Sequence, residues 1–83
     1  MTVTEVKFYN MVKFRVQAQI FNGRTLVSGC VTGPDEIGVL QAESERFDIF
    51  FKNGSTGWEI ARKLNSDADS FTLVAHNGQY ILK

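Results

Sequence analysis

The chain has 83 residues, 43% of them hydrophobic, a composition too apolar for intrinsic disorder and too scattered for a membrane-spanning run. Nine basic and nine acidic side chains cancel, which removes the overall positive field of a protein that holds nucleic acid mainly through its phosphates. A single cysteine, Cys30, excludes an intramolecular disulfide and a cysteine-rich metal site, and Met1–Asn10 lacks the continuous apolar run of a signal peptide. One domain over residues 1–83, in the reducing cytoplasm and away from membranes, is therefore expected.

The charges are unevenly placed. Residues 1–32 carry Lys7, Lys13, Arg15 and Arg24 against Glu5, whereas residues 33–60 carry Asp35, Glu36, Glu43, Glu45, Asp48 and Glu59 against Arg46 and Lys52. Either the two segments pair across neighbouring strands, or they make a dipolar surface that steers a partner.

From Val12 to Ile20 the apolar residues occupy every second position, with Lys13, Arg15, Gln17 and Gln19 between them, the pattern of a half-buried strand. Asn22-Gly23 suits the positive φ angles of a two-residue type I′ turn, so Arg24–Val31 returns as the partner strand. That register sets Phe21 opposite Arg24, Ile20 opposite Thr25, Ala18 opposite Val27 and Phe14 opposite Val31. It places Leu26, Ser28 and Cys30 on the polar face.

Thr32-Gly33-Pro34 stops the second strand. The apolar residues of 37–42 gather on no helical face and Gly38 interrupts them, so residues 33–45 read as irregular or briefly extended. Arg46–Lys52 alternates as a strand. Thr56, with Glu59 three residues on, has capping-box spacing, and Ile60, Ala61 and Leu64 against Glu59, Arg62 and Lys63 predict a helix of about nine residues. Phe71–His76 and Gln79–Lys83 form a last hairpin at Asn77-Gly78. The expected fold is α+β: an antiparallel sheet of about five strands with one short helix packed on one face, in the order ββ-β-α-ββ.

No residue pattern points to catalysis. The only histidine, His76, flanks a tight turn, and Asp67-Ala68-Asp69 lacks the glycine and next ligand of a calcium loop. Gly54 and Gly57 have neither P-loop nor dinucleotide spacing. Glu43 and Glu45 read as a solvated strand face, and Cys30, placed near Arg15 on the outer face, reads as a packing residue. No enzyme activity, cofactor or metal is expected.

Function is expected on the sheet face opposite the helix. It would show Phe21, Leu26, Cys30, Phe50, Val74 and Ile81 among basic and amide side chains, unless residues 1–11 or 33–45 cover it. Lys13, Arg15, Gln17, Gln19, Phe21, Arg24 and Leu26 form the candidate partner-binding set. A protein partner fits this face best, with a homodimer through the same face as another occupant. The alternative is single-stranded nucleic acid, with Phe21 and Phe50 stacking on bases and Lys13, Arg15 and Arg24 holding phosphates. In size and charge balance the chain resembles the small inhibitors by which phages block host defence, anti-CRISPR proteins included. That likeness implies a non-enzymatic inhibitor or adaptor that occludes a surface of a larger partner.

Overall fold

Alternation of inward and outward residues extends over nearly the whole chain. In a computed structural model, which describes residues 4–83, it produces eight strands and, among those residues, no helix. The opening of the Met1–Asn10 stretch lies outside the described residues. The strands are β1 (Thr4–Met11), β2 (Val16–Asn22), β3 (Thr25–Thr32), β4 (Ile37–Ala42), β5 (Phe47–Asn53), β6 (Glu59–Ser66), β7 (Ser70–His76) and β8 (Gln79–Leu82). They form two four-stranded sheets, sheet I in the order β4-β1-β7-β8 and sheet II in the order β3-β2-β5-β6. Every pairing is antiparallel except β1 with β7. The architecture is thus an all-β sandwich, and the expected α+β fold with a helical roof is not formed.

The residues assigned to a helix lie in β6 and the turn before it. Asn53 Oδ1 accepts the N–H groups of Ser55 and Thr56, so this segment is a side-chain-capped turn instead of a helix start. β6 then pairs with β5 through two irregularities, one leaving Ile60 extra and one setting Leu64 and Asn65 against Asp48. A bulge shifts the phase of a strand by one residue. Ile60 and Ala61, adjacent in sequence, consequently both pack against the core. Two phase shifts within eight residues imitate helical spacing. Asn65 takes a positive φ of 52°, and its N–H is held by the Asp48 carboxylate at 2.9 Å.

The first hairpin forms with a different register. Its central turn residues are Gly23-Arg24, one position later than expected, and positive φ occurs at Gly23 alone, the type II′ pattern. Phe21 faces Leu26, Val27 is the extra residue of a bulge, and Ala18 faces Cys30. Cys30 therefore turns inward, its Sγ 3.6 Å from Thr32 Oγ1, and Val31 turns outward. The last hairpin forms as expected, with positive φ at both Asn77 and Gly78 and with Leu73 opposite Leu82.

Residues 37–42 are a regular strand, the extended one of the two expected states. Gly38 belongs to its inward column, where Cβ would collide with the side chains of Cys30 and Thr32. Lacking one, it lets the edge of sheet I close against the edge of sheet II, and the Gln41 N–H reaches Ser28 Oγ at 3.1 Å across that corner. Residues 4–11 and 37–42 thus form β1 and β4, which roof the inner face of sheet II in place of a helix, and no described residue covers its outer face.

The two inner faces meet around four phenylalanines. Phe8 and Phe71 from sheet I pack on Phe51 of sheet II at ring separations of 4.7 and 5.9 Å, and Phe71 meets Phe47 at 6.4 Å. Val6, Val16, Ala18, Ile20, Leu40, Ile49 and Leu73 fill the remaining space.

One polar side chain, Asn10, is wholly buried among them. Its Nδ2 donates to the carbonyls of Phe14 at 2.9 Å and Thr32 at 2.8 Å, and its Oδ1 accepts the Val12 N–H at 3.0 Å. Replacing it with leucine leaves these backbone groups buried without partners. Asn10→Leu is predicted to cost about 3 kcal/mol, a fall of roughly 15 °C in thermal midpoint, measured by urea and thermal unfolding. A loss below about 1 kcal/mol would show that the bend finds other partners.

Candidate functional site

Period-two alternation fixes what sheet II shows to solvent. β2 presents Gln17, Gln19 and Phe21, and β5 presents Asp48, Phe50 and Lys52. In the ladder Gln17 lies between Val31 and Lys52, Gln19 between Gly29 and Phe50, and Phe21 between Leu26 and Asp48. Arg62 of β6 is the partner of Phe50 on its other side. Phe21 and Phe50 are diagonal neighbours and meet edge to face, centroids 5.5 Å apart and planes at 88°. Beside them is a recess of about 380 Å³ bounded by Phe21, Gly23, Arg24, Phe50, Lys52 and Glu59. Leu26, 52% exposed, adjoins Phe21.

Gln17, Gln19, Phe21, Arg24 and Leu26 of the sequence-derived set therefore do come together. Lys13 and Arg15 precede the start of β2 at Val16, Lys13 in the bend after β1 and Arg15 at the entry to the strand, where its carbonyl accepts the Gly54 N–H at 2.8 Å in continuation of the Val16–Asn53 pairing. They lie at the opposite end of β2 from Arg24, about 20 Å away along an extended strand.

Two other placements change. Cys30 leaves the outer face for the inner one, and Val74 and Ile81 belong to sheet I on the far side of the sandwich. There they complete a second apolar face that the sequence reading missed. Tyr9 lies between Ile37 and Thr72, Met11 faces Val74, and Val74 faces Ile81, with Val39 and Lys7 one row along. Tyr9, Met11, Ile37, Val39 and Ile81 are each between 37 and 56% exposed. The available signal was that both columns of β1 carry bulky apolar residues, Phe8 inward and Tyr9 and Met11 outward. Trp58, 77% exposed at the turn before β6, is the most open aromatic among the described residues.

Electrostatics on these faces are mild. Among the described residues the ion pairs are Arg46 with Asp67 at 3.9 Å and Arg62 with Glu59 at 3.6 Å, all four side chains solvent-exposed. Neither joins residues 1–32 to residues 33–60, so the expected cross-strand charge pairing between those segments is not what holds them. His76 is exposed beside its turn, its Nε2 3.2 Å from Asn77 Nδ2. Among the described residues no three His, Cys, Asp or Glu side chains gather as metal ligands. Comparison of the chain with protein-family models, curated proteins and solved structures finds no match.

At the centre of the sheet II face, Gln19 Oε1 is shielded from solvent and has no hydrogen-bond partner. An acceptor stranded in this way costs stability. Gln19→Met keeps the volume and removes the stranded atom, so it is predicted to raise stability by about 1 kcal/mol and the midpoint by roughly 4–8 °C. A lower midpoint in thermal unfolding would refute this.

Proposed function

We propose that the protein is a non-enzymatic protein-binding module, a small inhibitor or adaptor that covers part of a larger partner with the outer face of sheet II. The observation that carries this reading is the Phe21–Phe50 recess, an apolar floor at the centre of a bare sheet face. Leu26 extends the floor, and Arg24, Lys52 and Arg62 stand around it. Arginine and aromatic residues are the side chains that contribute most at protein interfaces. Because the floor is built on paired strands, little side-chain or backbone ordering is required on contact. With Glu59 and Asp48 beside Arg24, Lys52 and Arg62, the rim is of mixed charge and suits an apolar or aromatic side chain set among polar groups.

The geometry favours this over single-stranded nucleic acid. Phe21 and Phe50 are half-buried and turned edge to face, which leaves no open pair of ring faces for successive bases. Of the three phosphate-holding residues of that alternative, Arg24 borders the recess, whereas Lys13 and Arg15 lie at the other end of the strand.

The test uses a tagged full chain, first to isolate the partner from its native host and then to measure affinity for the purified partner. Leu26→Asp and Arg24→Glu are each predicted to weaken binding about tenfold or more while leaving the thermal midpoint within about 2 °C. Val39→Asp, on sheet I, should leave affinity unchanged. The reverse pattern would move the contact to sheet I. Salt-sensitive oligonucleotide binding that Arg24→Glu abolishes, without protein capture, would replace the proposal with the nucleic-acid alternative. Sedimentation at high concentration checks for self-association, with a mass near 9.3 kDa expected and twice that value indicating a dimer.

A further inference from the structure

Six of the seven glycines have a reason within the chain. Gly23, Gly57 and Gly78 take positive φ, Gly38 and Gly54 press against neighbours that a Cβ would crowd, and Gly33 lies under the Glu36 carboxylate that its own N–H holds at 3.0 Å. Gly29 has no such reason. It lies inside β3 without a positive φ, and a Cβ placed on it meets only the Ala18 carbonyl oxygen at 3.4 Å and Gln19 Cγ at 3.8 Å, which are ordinary contacts. A mid-strand glycine costs stability, through backbone entropy and through the packing it forgoes.

Its place in the sheet supplies the missing reason. Gly29 is the ladder partner of Gln19 and therefore belongs to the outward side of sheet II, on the outermost strand. Leu26 and Val31, 52% and 59% exposed, stand on either side of it along β3. The result is a notch with a main-chain floor and aliphatic walls, closed toward the sheet centre by the Gln19 stem. A glycine on an edge strand is stabilised when an aromatic ring lies over it. No aromatic atom lies within 4 Å of the Gly29 Cβ position, and Phe21 and Phe50 are turned toward each other.

We infer that Gly29 is a specificity-determining position of this face and that its notch receives an aromatic side chain of the protein partner. The ring lies flat on the Gly29 main chain, between Leu26 and Val31. A planar ring covers bare main chain closely and meets both aliphatic walls with its edges, which a branched aliphatic group does less completely. The inference rests on the reading that the outer face of sheet II binds a protein, and it adds the kind of residue that the partner presents there. A strand glycine whose absent side chain is not needed by its own fold marks close approach by another molecule.

A glycine near a sheet corner also has a purely structural use, easing the twist of its strand. The experiment separates the two. N-acetyl-tyrosinamide is titrated into the full chain and followed by amide NMR, with N-acetyl-leucinamide as the aliphatic control. Expected are saturable shifts centred on Leu26–Val31 and Gln19, with a dissociation constant on the order of 10 mM and the control at least about threefold weaker. Gly29→Val fills the notch, so it should abolish these shifts while raising the thermal midpoint by about 3 °C. With the purified partner, the same variant should weaken binding about tenfold. A structural role alone would not lower affinity while raising stability. A lower midpoint in Gly29→Val, shifts that survive the substitution, equal binding of the leucine derivative, or no shifts at β3 would each overturn the inference. If Leu26→Asp and Arg24→Glu weaken the partner and Gly29→Val does not, the notch alone is refuted; if none of the three does, the binding face itself is.

Discussion

The sandwich depends on the chain leaving sheet I after Met11 and entering sheet II at Val16, and Asn10 makes that bend affordable in the interior. A reversal between packed layers buries backbone groups that no ladder satisfies, and each one left unpaired is costly. The Asn10 amide takes the Phe14 carbonyl and the Val12 N–H within the bend, and the Thr32 carbonyl at the end of β3. Its backbone is also engaged: the Asn10 N–H donates to the Glu36 carbonyl and its carbonyl accepts the Asp35 N–H. One residue therefore joins the exit from β1, the end of β3 and the entry to β4. Those are the points that decide which sheet the following strand enters.

Once these crossings are set, the surfaces follow. β1 and β4 cover the inner face of sheet II from one side, joined by β7 and β8, so the space a helix would have taken is filled by a second sheet. Among the described residues, neither outer face has a third layer. The aromatic residues divide accordingly, with Phe8, Phe47, Phe51 and Phe71 spent on the core and Phe21 with Phe50 on the sheet II surface. Phe14 joins the two sheets at one end, where it meets Tyr80 edge to face at 5.7 Å.

What the sequence made legible was whatever one strand or one tight turn decides alone. Alternation in β2, β5 and β7 and the Asn77-Gly78 turn are local properties, and they were readable. So was the shared face of Gln17, Gln19 and Phe21, because residues two apart on a strand must share a side. The Val27 bulge reversed the facing of Cys30 and Val31, and bulges at Ile60 and Leu64-Asn65 gave β6 the spacing of a helix. Gly38 looked like a break because its purpose, close approach to Cys30 and Thr32, involves residues in another sheet. The second apolar face needs β1 beside β4 and β7, pairings that join distant segments and leave no trace in any single window.

The distribution of apolar surface also bears on what the fold is for. A chain this short has little interior, and each large side chain left in water forgoes roughly 1.5–3 kcal/mol of burial. Yet Ile37, Val39, Tyr9 and Met11 stay substantially exposed on sheet I, and Leu26 does so on sheet II. Meanwhile the interior holds the amide of Asn10, and a stranded Gln19 oxygen sits beneath the sheet II surface. Asn10 has a structural reason, since the bend requires it. The exposed aliphatics have none within the chain, because charged or threonine side chains would serve the same strands with less tendency to associate. Apolar groups kept outward in register across neighbouring strands give both outer faces contiguous apolar surface, which is the feature on which the proposed binding role draws.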